Sequence, residues 1–284
     1  MVLIRVFHFR RSLLTSIVVV LTAVACSRDP RPDTPAAAAE GERLMRQMSE
    51  TLAGVSAFRF TTTENLEQVG PSENRRVLHF ARTVTVRRPN GVFFELHGLG
   101  DTALDVGAYY DGSRVSLRGE ANNVWAQTTA PGTLDEMLDE VARRFSLPVP
   151  IADVIYSAPY DAFIGRNTHG GFVGREIVEG VQCAKLAYSD EFVDVRVWIP
   201  TSAQPLPRRE EIAYKQVRGV PTARITFTSW DLQPRVSDAT FTFQPEAALT
   251  RIEMEEFVAG VASGGQPAVP VGTTAKEPGK VTAR

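Results

Sequence analysis

Lysine is scarce in this chain, four residues against 27 arginines, and cysteine occurs only twice. The arginine pairs at 75–76, 87–88, 143–144 and 208–209 are scattered, and the formal net charge is −2. Without a continuous basic face the sequence lacks the electrostatic footprint of a nucleic-acid binder, so no nucleic acid is expected as a partner. Beyond the first 25 residues there are three histidines, His79, His97 and His169, none in an H-E-x-x-H or related spacing. No metal site is legible from that set, and no cofactor is expected. There is no G-x-S-x-G elbow and no Walker loop, and "HGGFVG" runs into a strand pattern rather than a helix, so it is no dinucleotide fingerprint. The carboxylates Asp135, Glu136, Asp139 and Glu140 read as a solvated helix face. These absences argue against an enzyme, and no catalytic residue is assigned.

A long apolar run is also lacking. Leu13–Ala25 is 13 residues, short of the roughly 20 that cross a bilayer as a helix. Arg5, Arg10 and Arg11 precede it, which makes residues 1–25 a signal peptide. The "AVACS" that follows resembles the processing site of bacterial lipoproteins, with Ala23 where leucine is usual, and assigns Cys26 as a lipidation site. Removal of three arginines takes the formal charge from −2 to −5. Lipidation leaves Cys183 without a disulfide partner, and "VQCAKLAY" makes it a half-buried apolar residue. Three prolines and alternating charge make residues 26–39 a flexible tether, and residues 257–284 lack periodicity and read as a disordered tail. The folded domain is expected at 40–256.

That domain opens with a helix in "EGERLMRQMSETLAGV", where Leu44, Met45, Met48, Leu52 and Val55 share a face. Strands then follow in quick succession, parted by "RPNG", "DG" and "EANN", which are turn sequences. In "RVLHFARTVTVRR", Leu78, Phe80, Arg82, Val84 and Val86 alternate with Val77, His79, Ala81, Thr83 and Thr85. Short strands joined by tight turns imply antiparallel pairing. The pattern breaks at Thr133–Glu136, a T-x-x-E capping box, followed by the stripe Leu134, Met137, Leu138, Val141 and Phe145. Ile151, Val154 and Ile155 suggest a second short helix, and Tyr160, Phe163 and Ile164 a third turn. Strands resume from "GFVGREIV" through "ATFTF", for 11 or 12 in all. One-sided helices must bury their apolar stripes, and the face of a curling sheet is the surface available. The fold class is therefore α+β, mainly antiparallel β, with helices covering a curved sheet and room for a cavity between the two layers.

The stretch "YYDGSRVSLRGEANNVWAQTTAPGTLDEMLDEVARRFSLPVPIADVIYSAPY", with "GVQCAKLAY", "RVWIPTSAQPLPRREEIAYK" and "SWDLQPRVSDATFTFQP", resembles the LolA-like superfamily of periplasmic carriers, with LppX and RseB among its relatives. Within it, the sequence is most similar to a predicted periplasmic family of unknown function, number 2092. Lys185 stands where relatives often have histidine. The resemblance implies a half-open barrel with helices over its mouth and an apolar interior. It further implies a ligand class, a lipid or other hydrophobic molecule that the protein binds or carries; the Cys26 motif, with Ser27 after it, adds the expectation of a periplasm-facing protein lipid-anchored at the outer membrane. The alternative is an RseB-like sensor or scaffold with an envelope protein partner, with an enzyme a distant third. The expected ligand-lining residues are Met137, Leu138, Val141, Phe145, Phe60, Phe80, Phe94, Trp125 and Trp198. The helix from Thr133 to Phe145 is expected to cover the open face as a movable lid, with Leu138 facing the cavity.

Overall fold

A computed structural model describes residues 33–70, 72–145, 150–164, 169–201 and 204–262. The signal segment, Cys26 and the first part of the tether lie outside the described residues, as does the tail from 263.

Two runs of alternating side chains build two antiparallel meanders. The first comprises β1 (Ala57–Val69), β2 (Arg75–Arg87), β3 (Gly91–Gly98), β4 (Asp105–Tyr110), β5 (Arg114–Gly119) and β6 (Val124–Thr129). The second comprises β7 (His169–Val178), β8 (Val181–Ser189), β9 (Val193–Pro200), β10 (Arg209–Tyr214) and β11 (Thr222–Asp231). β11 returns to pair antiparallel with β1 and fuses the two into one sheet. A two-residue strand, β12 (Thr250–Arg251), adds in parallel to β6. The order is β12-β6-β5-β4-β3-β2-β1-β11-β10-β9-β8-β7, and its two ends do not pair, so the 12-stranded sheet is curved and open. Register shifts at Thr61/Thr62 and Phe172/Gly174 add local twist where β1 and β7 bend.

The helices lie on the concave face. α1 (Pro35–Ala53), α2 (Leu134–Phe145), α3 (Ala152–Ile155) and α4 (Pro159–Ile164) cover one half. Their buried residues, Met45, Met48, Leu52, Leu134, Ile151 and Val154 among them, merge with Phe58, Phe60, Val84, Val197 and Phe227 of the sheet in one apolar cluster. α5 (Met254–Ala262) covers the other half, where Met254, Phe257 and Val258 meet Leu78, Phe80, Leu96 and Val106. At Thr133 the capping box forms in part: the hydroxyl accepts from the Glu136 amide at 3.3 Å and donates to the Glu136 carboxylate at 2.9 Å.

Three boundaries differ from the sequence reading. α1 begins at Pro35, because Thr34 caps it by accepting from the Ala37 amide and Pro35 suits the first turn. Residues 35–39 are therefore helix and not tether, and Ala37 is buried. At the other end, Phe257 and Val258 are buried in α5, so 257–262 belongs to the folded domain and not to the tail. The alternating "ATFTF" is not a strand: Asp238–Thr240 is a 3-10 turn. Its neighbours in the sheet are already paired, so the segment crosses the convex face. There Phe241 packs on Gly91, where a Cβ would stand 3.1 Å from the ring, and Arg87 stacks on it at 4.6 Å.

Candidate functional site

Alternation decides which side chains face the helices. On β1 they are Phe58, Phe60, Thr62 and Glu64, on β2 Leu78, Phe80, Arg82, Val84 and Val86, and on β10 Glu210 and Ile212. Charged residues thus stand in rows that are otherwise apolar. The register sets Glu64 of β1 opposite Ile225 of β11, and Ile225 opposite Glu210 of β10. The two acids are two strand spacings apart, about 10 Å between backbones.

Their surroundings differ. Glu64 accepts from the Thr62 hydroxyl at 2.7 Å and from Arg82 Nη2 at 2.8 Å. Arg82 in turn lies 5.2 Å from the Phe94 ring centroid. Glu64 and Arg82 therefore form a buried, electrically neutral unit. Glu210 is 0% exposed, and neither of its carboxyl oxygens has a hydrogen-bond partner among the described residues. Burial, then Asp153 and then Glu64 push its pKa well above the ordinary 4.5. Asp153 comes down on α3 from the helical layer, and burial lifts its carboxyl from 3.8 to about 7. Tyr214, the last residue of β10, is also raised, by burial first and then by Glu210, Asp153 and Glu64. An isolated ionised carboxylate in such a place costs several kcal/mol. Glu210 is thus held as a neutral acid, able both to donate and to accept a hydrogen bond. No cluster of three or more histidine, cysteine, aspartate or glutamate side chains among the described residues could hold a metal ion.

A cleft of about 660 Å³ opens on this sheet where the start of α1 crosses β7, β8 and β9. Pro35, Ala37, Phe172, Tyr188 and Val195 are among its walls. The close crossing depends on two glycines: a Cβ on Gly41 would stand 2.6 Å from Gly171 Cα, and one on Gly171 would stand 2.5 Å from the Ala37 carbonyl oxygen. Val195 pairs with Ile212, and the next inward pair along the same two strands is Val197 with Glu210. Glu210 therefore lies about 7 Å farther along the sheet than the cleft wall.

The sequence-derived lining residues divide into four groups. Met137 and Leu138 are buried in the main apolar cluster, and Val141 packs on it. Phe60 belongs to the floor of that cluster, 4.9 Å from Trp230 and 5.5 Å from Phe227 between ring centroids. Phe80, Phe94 and Phe145 pack in the second cluster under α5, with Phe94 touching both. Trp125 and Trp198 lie on the convex face and do not line the interior. Trp125 packs 5.6 Å from Phe243, and Trp198 donates to Glu176 at 3.1 Å with Lys185 Nζ 5.0 Å from its ring. The cause is the two-residue period, which in "VDVRVWI" puts Trp198 on the side of Asp194 and Arg196. Leu138, expected to face a cavity, is 8% exposed and packed. None of the expected residues lines the 660 Å³ cleft.

Glu64, Arg82, Asp153 and Glu210 were not among the expected residues. The signal for three of them is the same period: Arg82 falls in the row Leu78–Val86, Glu64 continues Phe58–Thr62, and Glu210 precedes Ile212 on one face. The histidines are exposed, with His79 hydrogen-bonded to Asn65 and His97 to Asp105.

The profile of the family described as "Predicted periplasmic protein (DUF2092)" matches residues 41–255. No curated protein matches the chain. Among solved structures, the Mycobacterium tuberculosis lipoprotein LppX is similar at 11% identity over 69% of this chain and 97% of its own, with a TM-score of 0.42. A LolA superfamily protein from Nitrosomonas europaea is similar at 9% identity over 72% and 98%, with a TM-score of 0.32. The Pseudomonas aeruginosa MucA/MucB complex gives 13% identity over 75% and 63%, with a TM-score of 0.38.

Proposed function

The chain belongs to the DUF2092 family of predicted periplasmic proteins, and on that premise we propose that it binds a hydrophobic ligand between its sheet and its helices. The observation that carries this reading is the cleft of about 660 Å³ where α1 crosses β7, β8 and β9, which opens next to the apolar cluster and has Asp194 and Arg196 at its polar side. Its volume lies in the range of small-molecule sites, roughly 300–1,000 Å³. Phe172, Tyr188 and Val195 line the cleft and also belong to the main cluster, so an apolar chain entering there meets a continuous greasy surface. The lipobox-like Cys26 supports a protein held at a membrane by a lipid anchor, and Ser27 after Cys26 favours the outer membrane.

Titration of delipidated protein with a pyrene-labelled fatty alcohol tests the reading. Ala38 is exposed at the cleft, so Ala38→Trp fills the opening at little cost in stability. Saturable binding is expected in the wild type and not in Ala38→Trp. Absence of saturable binding in the wild type refutes the reading.

A second reading, a sensor or scaffold for an envelope protein, draws on the open edge. β7 pairs only with β8, and Ile177 on it is 70% exposed. A free strand edge can be extended by a partner's strand. Affinity capture of one envelope protein that Ile177→Lys abolishes, from chains with an empty interior, would favour this second reading.

A further inference from the structure

Glu210 is an anomaly for a protein that only stores grease. Its strand neighbours on the same face are apolar, its side chain is fully buried, and both of its oxygens lack partners among the described residues. Leaving a buried polar group unsatisfied carries the full desolvation penalty of that group. Glutamine at this place would carry the same burden, and leucine or methionine would carry none. The position is therefore explained by something that supplies the missing partner in the working state.

The groups around it narrow what that is. Asp153 of α3 and Glu64 of β1 act on it electrostatically, and Tyr214 of its own strand feels the same acids together with Arg82 of β2. Arg82 is bound to Glu64 at 2.8 Å, so its charge is already matched. Asp153 and Glu210 together carry between zero and two negative charges. The local sum is therefore never positive, and a carboxylate or phosphate head group would face two acids, with only their protonated forms and Arg82 Nε to donate to it. A cationic head that donates hydrogen bonds would meet two carboxyl groups in a place where charge pairs are strong.

We infer that Glu210 and Asp153, flanked by the Glu64–Arg82 pair, receive the head group of a cationic, hydrogen-bond-donating amphiphile, a long-chain primary amine being the simplest member of that class. This rests on the hydrophobic-ligand reading and adds the polar end of the ligand to it. The geometry suits such a molecule: Val195 of the cleft wall pairs with Ile212, and Glu210 stands one inward residue pair, about 7 Å, farther along the two strands. An apolar chain lying along the cleft and the cluster can therefore present its head to the acids. Binding of an ammonium to the protonated acid releases one proton to the solvent and leaves a carboxylate–ammonium pair, so charge balances.

Calorimetric titration of the full-length protein at pH 7 with dodecylamine, dodecanol and dodecanoate, each below its critical micelle concentration, tests the inference. Dodecylamine is expected to bind at least tenfold more tightly than dodecanoate, with a proton released that is visible as a dependence of the heat on the buffer. Glu210→Gln and, as a second variant, Asp153→Asn should lose that preference while still binding dodecanol. Glu211→Gln is the control for general attraction of amines, because Glu211 lies on the opposite face and is held by Arg224 at 2.7 Å; it should behave as the wild type. Dodecanol and dodecanoate binding with no preference for the amine, or a preference that survives in Glu210→Gln and Asp153→Asn, overturns the inference and leaves the hydrophobic-ligand reading standing. No binding of any of the three by the wild type overturns both.

Discussion

Glu210→Gln isolates the buried acid with almost no change of shape, and its effect can be worked out before it is measured. In the unfolded chain the Glu210 carboxyl ionises at its ordinary 4.5, whereas in the folded chain burial and the neighbouring acids keep it protonated to a much higher pH. Asp153 behaves alike, moving from 3.8 to about 7. Between those limits the folded state holds protons that the unfolded state has released. The stability these two groups contribute is therefore complete below about pH 4 and is lost as pH rises through their folded values. Each group sets a slope of about 1.4 kcal/mol per pH unit. From pH 5 to 7 the wild type should lose stability through both groups, Asp153 alone giving about 1–2 kcal/mol once the part of it that solvent reaches is allowed for. Glu210→Gln cannot titrate at this position and should show a clearly shallower loss, while Glu211→Gln should track the wild type. Urea unfolding at pH 5, 6 and 7, at constant ionic strength and followed by tryptophan fluorescence, measures the three slopes. A wild-type stability that is flat over this range, or a Glu210→Gln slope equal to the wild type's, would refute the reasoning.

Removing one half of the buried pair should cost far more than removing both. Arg82→Met leaves Glu64 charged with only Thr62 beside it and should lose about 3–5 kcal/mol, whereas Arg82→Met with Glu64→Leu should recover most of that in the same urea assay. Leu138→Ala should cost about 2–5 kcal/mol, because Leu138 is packed in the main cluster. Thr133→Ala should cost about 1 kcal/mol through the lost cap. A loss below about 1.5 kcal/mol at Leu138 would instead restore the cavity-facing reading of α2. Labelled palmitate should enter the wild-type protein in bacterial cells and not Cys26→Ser; equal labelling of both would exclude the lipid anchor.

The strands were legible because half-buried antiparallel strands alternate, and "RVLHFARTVTVRR" and "VDVRVWI" do so over much of their length. The helices of the central block were legible for a related reason: Thr133 with Glu136 and the Leu134–Phe145 stripe signal start and face together. What failed was partner choice. "ATFTF" has a strand's alternation, but a strand needs a free neighbour, and the sheet around it is already paired, so Phe241 and Phe243 pack on the convex face instead. The α5 segment has no striking periodicity, and its helix exists because Phe257 and Val258 find the uncovered half of the sheet. For the site, attention to large aromatics misplaced Trp125 and Trp198, although the period already set Trp198 with Arg196. The same period held the opposite clue in Arg82, a charge in an apolar row. Asp153 was not legible, since which helical acid comes near which strand acid is decided by how the helices settle on the sheet.

Native mass spectrometry of residues 33–262, purified without detergent and compared before and after organic extraction, bears most directly on hydrophobic-ligand binding. The expected result is a noncovalent adduct of lipid size that extraction removes and that one equivalent of pyrene-labelled fatty alcohol restores. Bare protein mass in both states, with no uptake of the alcohol, would contradict a ligand held between the sheet and its helices.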